Sequence, residues 1–554
     1  MKFTLSWLKR FLETDASLKE IEHKLSHIGL EVEEIVDRRS DFAIFMVAEI
    51  KSAESHPNAD KLKLCQVNIG KETLQIVCGA PNARAGIKVV LAPVGAVIPN
   101  GKFKIKASEI RGVKSNGMMC SEQELNIGTD SDGIIELPEN SEVGGDFLQF
   151  YGLDDPMIEI AISPNRGDCL GVYGIARDLA AAGMGKLIPL TIKKTNAQYK
   201  ADFAIKASEG YFIAREFRNL KNTQSPKWLQ QYLRNIGQEP ISALVDITNY
   251  IAFSFGKPLH IYDKAKLGQY LSIENAKPDE KFTALDDKEY ILDATDIVVR
   301  YNKQVKSLGG IIGGLDSGCN MQNSAVIIES DFINHIKISQ TGRRHKIDTD
   351  SRYRFERQID HEFVRKAAEI ASEMILELCG GEASEFMVAG EVKYTPCQLE
   401  FPLVCIEQIL GFAIPKADVI KILENLGYGI EDKGELLLLT IPSWRNDIIL
   451  KENIIDDLIR IYGLDQLPFV HLPANENITT PILNQTQRRI SNARRILANS
   501  SYDEVVTWSF MDAKYAQYFT ELKTELYVAN PISADLGYMR PNILPNLLQL
   551  VRHN

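Results

Sequence analysis

Between Arg445 and Tyr462 the chain reads RNDIILKENIIDDLIRIY, and oxygen-bearing side chains collect there. Asn453, Asp456 and Asp457 stand at i, i+3 and i+4, to one side of an apolar stripe of Leu450, Ile454, Leu458 and Ile461. Asp447 precedes Asn453 by six residues, at or just before the expected helix start. Oxygen ligands without His or Cys suit a hard cation such as Mg²⁺, which takes a few carboxylates plus water. Acids near a helix N-terminus also favour the helix dipole, so the spacing leaves both readings open.

A second chemistry-bearing window is basic. Residues 84–114 carry Arg84, Lys88, Lys102, Lys104, Lys106, Arg111 and Lys114 against the single acid Glu109. In GKFKIKASEIRG, Lys102, Lys104 and Lys106 alternate with Phe103 and Ile105, which places three ammonium groups on one face of a strand. A solvated strand face explains such alternation. On a chain of net charge −11, an acid-poor basic window points instead to a phosphate-facing surface. Upstream lies HPNADKLKLCQV, from His56 to Val67. His56 has no second His or Cys at metal-ligand spacing. Pro57 bars a strand or helix interior, and Asn58 and Asp60 suit a turn. The stretch reads as a structural turn leading into a strand.

These residues need elements to position them. A length of 554 residues implies three to five domains at about 150 residues each. No run of eighteen apolar residues occurs, so no membrane span is expected. Eight scattered cysteines without a CxxC pair read as reduced thiols of a cytoplasmic protein. Leu5, Leu8 and Leu12, then Ile21, Leu25 and Ile28, predict a helical segment over 1–38, with Gly29 as a cap. From about residue 42, short apolar runs alternate with Gly, Pro and Asn, the texture of a small β-barrel of about 105 residues. SPNRGDCLGVYGIARDLA reads as the strand–turn–helix start of an α/β domain. VCIEQILG, ADVIKILENLGY and LLLLTIPSWRNDI read as a small helical fold with a β element. TGRRHKIDTDSRYRFER interleaves Arg343, Arg344, Lys346, Arg352, Arg354 and Arg357 with Tyr353 and Phe355. That suits RNA, and equally an ion-paired core using Asp348, Asp350 and Glu356.

A family resemblance rests on ordered motifs. HPNADKLKLCQV, IVCGAPNARAGIKVVLAPVGAVIP and EIRGVKSNGMMCSEQEL together resemble the tRNA-binding oligonucleotide-fold domain of bacterial phenylalanine–tRNA ligase beta subunits. The likeness continues through SPNRGDCLGVYGIARDLA, LVDITNYIAFSFGKPLHIYD, KSLGGIIGGLDSG, VIIESDF and QTGRRHKIDTDSRYRFERQID. It then takes in NQTQRRISNARRILANSSYDEVVTWSF and LYVANPISADLGYMRPNILPNLLQLVRHN, and so covers essentially the whole chain. It implies a multidomain α+β protein. The expected parts are an N-terminal helical segment (1–38), a tRNA-binding oligonucleotide-fold barrel (39–148), an α/β editing domain (150–392), a small helical winged domain with the magnesium site (396–471), and the start of a class II synthetase-like antiparallel-sheet domain (475–554). The family continues beyond that point into an anticodon-binding domain, so a fragment or a natural truncation is expected.

The resemblance also assigns roles. With an alpha subunit, in an α₂β₂ assembly, the family charges tRNA(Phe) with phenylalanine; ATP and phenylalanine are expected on the alpha subunit. The beta chain binds tRNA, here through Lys102, Lys104, Lys106, Arg111 and Lys114, and hydrolyses mischarged Tyr-tRNA(Phe). Taken singly, a His, a Glu or a glycine pair has an ordinary structural reading. By resemblance, Thr248, Asn249 and His260 line the ester and attacking water, and Gly309, Gly310, Gly313 and Gly314 let backbone approach the substrate. Glu329 accepts a hydrogen bond from the tyrosine hydroxyl. Asp331 departs from the family, standing where a small apolar residue is expected. Asp447, Asn453, Asp456 and Asp457 correspond to a magnesium site shared with the alpha subunit. Asn453 replaces the usual Asp there, and Asp456 and Asp457 replace Glu. The rival readings are a stand-alone tRNA-binding or trans-editing protein, or an inactive truncated copy.

Overall fold

A computed structural model describes every residue except Ser40, Gly101, Lys102, Thr129, Gln269, Lys393, 472–481 and Asn554. Lys102 of the basic window therefore lies outside the described residues. The chain divides into two compact units, Met1–Pro468 and Phe469–Asn554.

The first unit begins with two helices, as the leucine and isoleucine spacing predicts. Leu18–His27 is opened by a capping box between Ser17 and Glu20 and buries Ile21 and Leu25. Residues 1–38 are nonetheless not a helical segment. Lys2–Thr4 and Val32–Val36 are strands on either side of Met157–Ile160, all antiparallel. Phe3 is sealed in the core, and Trp7 stacks between Tyr232 and Tyr250 at 5.0 and 5.4 Å. The helical period of the leucines hid short strands whose partner lies more than a hundred residues away.

Residues 46–137 form a sheet in the order Gly117–Met119, Lys88–Pro93, Met46–His56, Ala59–Asn68 and Thr73–Cys78, with Glu136–Leu137 beside Lys88–Pro93. Both faces are apolar: Val90 and Ala92 enter one cluster, Val89 and Leu91 the other. Pro57 and Asn58 form a two-residue turn, with His56 opposite Ala59; Asp60, expected in the turn, already lies in strand Ala59–Asn68. Nδ1 of His56 accepts from the Asn58 amide (3.0 Å), so Nε2 carries the proton and donates to the Ile110 carbonyl (3.1 Å). The expected lysine-faced strand is short. Phe103–Lys104 pairs with Val97–Ile98, and Lys106 lies outside it. Phe103 is 47% exposed while Ile105 is buried, so the two do not share one buried face.

The middle of the unit carries two sheets. One is antiparallel, in the order His260–Asp263, Val326–Phe332, Tyr211–Arg218, Glu382–Gly390. The other runs Ala204–Ala207, Tyr270–Asn275, Ile297–Tyr301, Gln304–Leu308, Ile312–Gly313. Residues of both, among them Phe212, Tyr262, Ile327, Ile273 and Val299, share one buried cluster. Helix Phe363–Cys379 packs on helix Ala243–Phe255 and on strand Val326–Phe332. Of the two readings of 341–357, the ion-paired one matches the contacts of Arg352, Arg354 and Arg357, while Arg343, Lys346 and Asp348 are exposed and form no ion pair among the described residues. Arg352 meets Glu356, Arg354 meets Asp350 over the Phe253 ring, and Arg357 meets Glu356 over Tyr353.

Residues 398–462 add a three-stranded sheet (Gln398–Pro402, Leu436–Thr440, Gly429–Asp432) and three helices, the last being Lys451–Tyr462. Ile454, Leu458 and Ile461 are buried as the stripe requires; Leu450 is exposed at the N-cap. This part is tied to residues 166–178 by buried charges. Arg166 bridges Asp168 and Asp178, Arg177 meets Asp168, and Arg460 bridges Asp178 and Asp457. Arg445 bridges Asp457 and Asp447. Burial alone would raise the Asp168 and Asp457 carboxyls. The surrounding guanidinium groups reverse that and hold both below the usual carboxylate range.

In the second unit, Asn484 and Gln487 form the capping box of helix Gln485–Asn499, which buries none of its residues. Phe510–Met511 pairs with Tyr538–Met539 over a small cluster of Met511, Ala516 and Tyr538. Among the described residues this pair is the only strand pairing longer than a single bridge in the unit, so the expected antiparallel sheet is represented by two strands.

Replacing Asp178 with Asn leaves Arg166 and Arg460 facing a neutral amide in a buried site. Asp178→Asn is expected to destabilise the first unit by about 3 kcal/mol or more, read as a lower urea midpoint. An unchanged midpoint would show that the network contributes nothing to stability.

Candidate functional site

Strands His260–Asp263 and Val326–Phe332 run side by side with His260 directly opposite Glu329. Period two then places His260 and Tyr262 on one face, and Ile327, Glu329 and Asp331 on the same face of the neighbouring strand. Over this face lies a cavity of about 340 Å³. Helix Ala243–Phe255 contributes Thr248 and Asn249 to its wall, and the 306–318 segment contributes Ser307, Gly310 and Gly313. The structure thus gathers Thr248, Asn249, His260, Gly310, Gly313 and Glu329 around one space. Gly309 and Gly314 stand behind it: a Cβ on the first would meet Ile333 at 3.0 Å, and on the second the Lys306 carbonyl at 2.7 Å. Their role is tight packing, not contact with the cavity. A Cβ at Gly313 would meet Cε1 of His260 at 2.5 Å, so glycine leaves room for the imidazole. Thr248 spends its hydroxyl proton on the Val245 carbonyl (2.7 Å).

The polar groups of the cavity are unusually placed. Glu329 is 3% exposed, and its Oε2 accepts from the Tyr262 hydroxyl at 2.7 Å. Burial, then the neighbouring Asp331, push the Glu329 carboxyl well above its ordinary value. Asp331, expected to be small and apolar, is a buried acid on the cavity wall with Lys257 Nζ 3.5 Å from Oδ1. Its Oδ2 is sealed without a partner among the described residues. Lys257 also donates to the Pro258 carbonyl (2.8 Å) and lies 4.8 Å from the Phe355 ring. Burial lowers its pKa. His260 Nε2 is likewise sealed and unpartnered. Burial lowers the imidazole to about 4, so it is neutral at pH 7 and can accept a hydrogen bond. Lys257, Tyr262 and Ser307 were not singled out in the sequence. Tyr262 carries a signal in the period-two register of HIYD, which aligns it with His260; Lys257 and Ser307 carry none.

The four expected magnesium ligands do not converge. Asp457 is 1% exposed; its Oδ1 accepts from Arg460, and its Oδ2 from Arg445 and Tyr428. Asp447 is held by both ends of the Arg445 fork and by Asn165. Asn453 caps its own helix, Oδ1 accepting from the Leu450 amide at 3.0 Å, and Asp456 is exposed. With the oxygens of Asp447, Asn453 and Asp457 already engaged and Asp456 alone left exposed, the four residues do not fit a magnesium ion. Among the described residues the one close grouping of metal-type side chains is Asp168, Cys169 and Asp178, and arginines already neutralise it.

On the sheet of residues 46–137, Arg84 is paired with Glu136 and Lys88 donates to the Ser141 carbonyl. Lys104, Lys106, Arg111 and Lys114 are exposed, and none is ion-paired among the described residues. Arg111 and Gly112 both have positive φ (53° and 86°) in the two-residue turn joining Ser108–Ile110 to Val113–Ser115. Asn58 holds that turn by donating to the Arg111 carbonyl (2.9 Å). No helix among the described residues is long and apolar enough to cross a membrane.

The His260 assignment is testable by NMR. Its ring proton shifts are expected to titrate with a midpoint near 4 and stay flat between pH 6 and 8. A midpoint near 6.5 would mean water reaches Nε2 freely.

Comparison with known proteins places these features. Family models match at residues 45–146 ("Putative tRNA binding domain"), 208–380 (B3/4 domain), 399–464 (tRNA synthetase B5 domain) and 472–554 (phenylalanyl tRNA synthetase beta chain CLM domain). The phenylalanine–tRNA ligase beta subunit of Rickettsia bellii (strain RML369-C) is 44% identical over 636 residues, covering 100% of this chain and 73% of that protein. The beta subunit of Rickettsia conorii (strain ATCC VR-613 / Malish 7) is 47% identical, covering 100% and 71%. That of Nitrobacter winogradskyi is 42% identical, covering 100% and 70%. Two independent strands of similarity, the ordered domain models and the full-chain identities, agree, and the chain belongs to the phenylalanine–tRNA ligase beta subunit family.

Proposed function

We propose that this chain acts with an alpha subunit, as an α₂β₂ ligase attaching phenylalanine to tRNA(Phe), and that its cavity at His260 and Glu329 hydrolyses Tyr-tRNA(Phe). ATP, with the Mg²⁺ that accompanies it, is used on the alpha subunit. Residues 39–148 act as an oligonucleotide-fold barrel, 150–392 as the editing domain, 396–471 as a winged domain, and 475–554 as part of a class II synthetase-like domain.

The observation that carries the editing reading is the juxtaposition in the cavity. A neutral imidazole with a free ring nitrogen stands across the strand pair from a buried carboxyl. An apolar pocket separates phenylalanine from tyrosine poorly, so a second site that pairs with the hydroxyl supplies the missing discrimination. A carboxyl held high by burial meets a phenol as acceptor or, when protonated, as donor. It meets the bare ring of phenylalanine with an unpaired buried group. His260, with a pKa of about 4, is too weak a base to take a proton fully at pH 7. Its part is to accept a hydrogen bond from the attacking water once the entering substrate opens the pocket around its sealed Nε2, and to aim that water at the ester.

The test uses the complex of the full chain with its alpha subunit. Tyr-tRNA(Phe) is expected to be deacylated in preference to Phe-tRNA(Phe). His260→Ala is expected to slow deacylation by about 10- to 100-fold while charging with phenylalanine continues. Deacylation unaffected by both His260→Ala and Glu329→Ala would overturn the pocket assignment.

Lys104, Lys106, Arg111 and Lys114 are proposed to meet tRNA phosphates. Lys104→Ala with Lys106→Ala should weaken tRNA binding and flatten the slope of log K against log salt by roughly 1.4 to 1.8. An unchanged slope would remove them from the interface.

A further inference from the structure

We propose that Tyr262 is a positioning residue that sets the preference of this pocket for a hydroxylated side chain, by holding Glu329 from behind through a Ser307–Tyr262–Glu329 relay. The inference rests on the editing reading above.

Tyr262 is 0% exposed and does not line the cavity. It follows His260 by two residues on the same strand face, and the two rings meet edge to face with centroids 4.4 Å apart. Its hydroxyl lies 2.7 Å from Glu329 Oε2 and 3.0 Å from Ser307 Oγ. A phenol has one proton. Tyr262 donates that proton to Glu329 Oε2, so toward Ser307 it can only accept, and Ser307 donates to Tyr262. Burial, then Glu329, push the Tyr262 phenol well above its ordinary value, which keeps the proton in place.

Glu329 has no other donor among the described residues. Lys257, the nearby cation, is engaged by Asp331 and the Pro258 carbonyl. Tyr262 therefore fixes which oxygen points away from the cavity. Oε1 takes no hydrogen bond from any described residue and is left for an incoming hydroxyl. Without the Tyr262 hydroxyl, the buried carboxyl loses its one neutral partner and is free to turn toward Lys257. The cavity wall, including His260, keeps its place, because the ring of Tyr262 and not its oxygen packs against the imidazole.

Deacylation of Tyr-tRNA(Phe) and Phe-tRNA(Phe) by the complex of the full chain with its alpha subunit tests this. Tyr262→Phe keeps the ring and removes the oxygen. The ratio of kcat/KM for Tyr-tRNA(Phe) over Phe-tRNA(Phe) is expected to fall about tenfold. Phenylalanine charging and the slow deacylation of Phe-tRNA(Phe) should hold steady. Ser307→Ala, which removes the far end of the relay, should lower the ratio in the same direction by a few-fold, and it decides the matter if the first variant fails to fold. Variants that slow both substrates equally would show a merely structural role and overturn the inference. So would an unchanged or increased ratio. If the unaltered complex shows no preference for Tyr-tRNA(Phe), the editing reading itself falls and takes the inference with it. A selective unaltered complex with insensitive variants sinks the inference alone.

Discussion

Eight charged side chains, four guanidinium groups against four carboxylates, hold the first unit together where three stretches of sequence meet. Arg166, Asp168, Arg177 and Asp178 come from the 166–178 turn and helix; Arg445 and Asp447 come from a loop; Asp457 and Arg460 come from the last helix of the 398–462 part. Burying any one of these alone would be prohibitive. Buried together they must all be present and all be placed, so the network acts as a registry device as much as an adhesive. It fixes helix Lys451–Tyr462 against helix Val172–Ala181. The latter packs on helix Ala243–Phe255, which supplies Thr248 and Asn249 to the cavity.

The cavity depends on a second constraint, the register of two adjacent strands. A one-residue slip between His260–Asp263 and Val326–Phe332 would carry Glu329 and Asp331 to the opposite face, away from His260 and Tyr262. The cross-strand pairing of His260 with Glu329 is therefore a condition of the chemistry and not an incidental contact. Three features guard it: the Tyr262 hydroxyl bond to Glu329, the Lys257–Asp331 pair, and the glycine at 313 that leaves the imidazole its space.

Much of this was legible in the sequence, and the failures share a cause. The apolar runs after residue 42, the turn at Pro57–Asn58 and the buried stripe of Ile454, Leu458 and Ile461 follow from local periodicity and breaker residues, and each matches the structure. Lys2–Thr4 was invisible because a three-residue strand has too few positions to show a period, Val32–Val36 because its VEEIV does not alternate, and the partner of both at Met157–Ile160 is remote. The pocket was legible as a set of positions but not as a circuit. Motif likeness pointed to His260 and Glu329, while Lys257, Tyr262 and Ser307 gained meaning only when folding brought three segments together. Residues 341–357 show the same limit, since arginines interleaved with aromatics read alike whether they face RNA or, as here, their own carboxylates.

The oxygen cluster of 447–457 is the sharpest case. Its spacing on a helix is what a hard cation would use, yet two of its members, Asp447 and Asp457, are the carboxylates that Arg445 bridges. Arg460 takes the remaining oxygen of Asp457 and links it to Asp178. The four carboxylates of the network are matched one for one by guanidinium groups, so its net formal charge is zero. A divalent ion added to the same oxygens would leave two uncompensated positive charges in a buried site, or would have to expel Arg445 and Arg460 into solvent. Guanidinium forks supply at these carboxylates what a cation would otherwise supply, charge neutralisation with fixed direction. At the helix start, Asn453 caps the Leu450 amide without bringing in a fifth negative charge, which the balanced network has no cation left to meet.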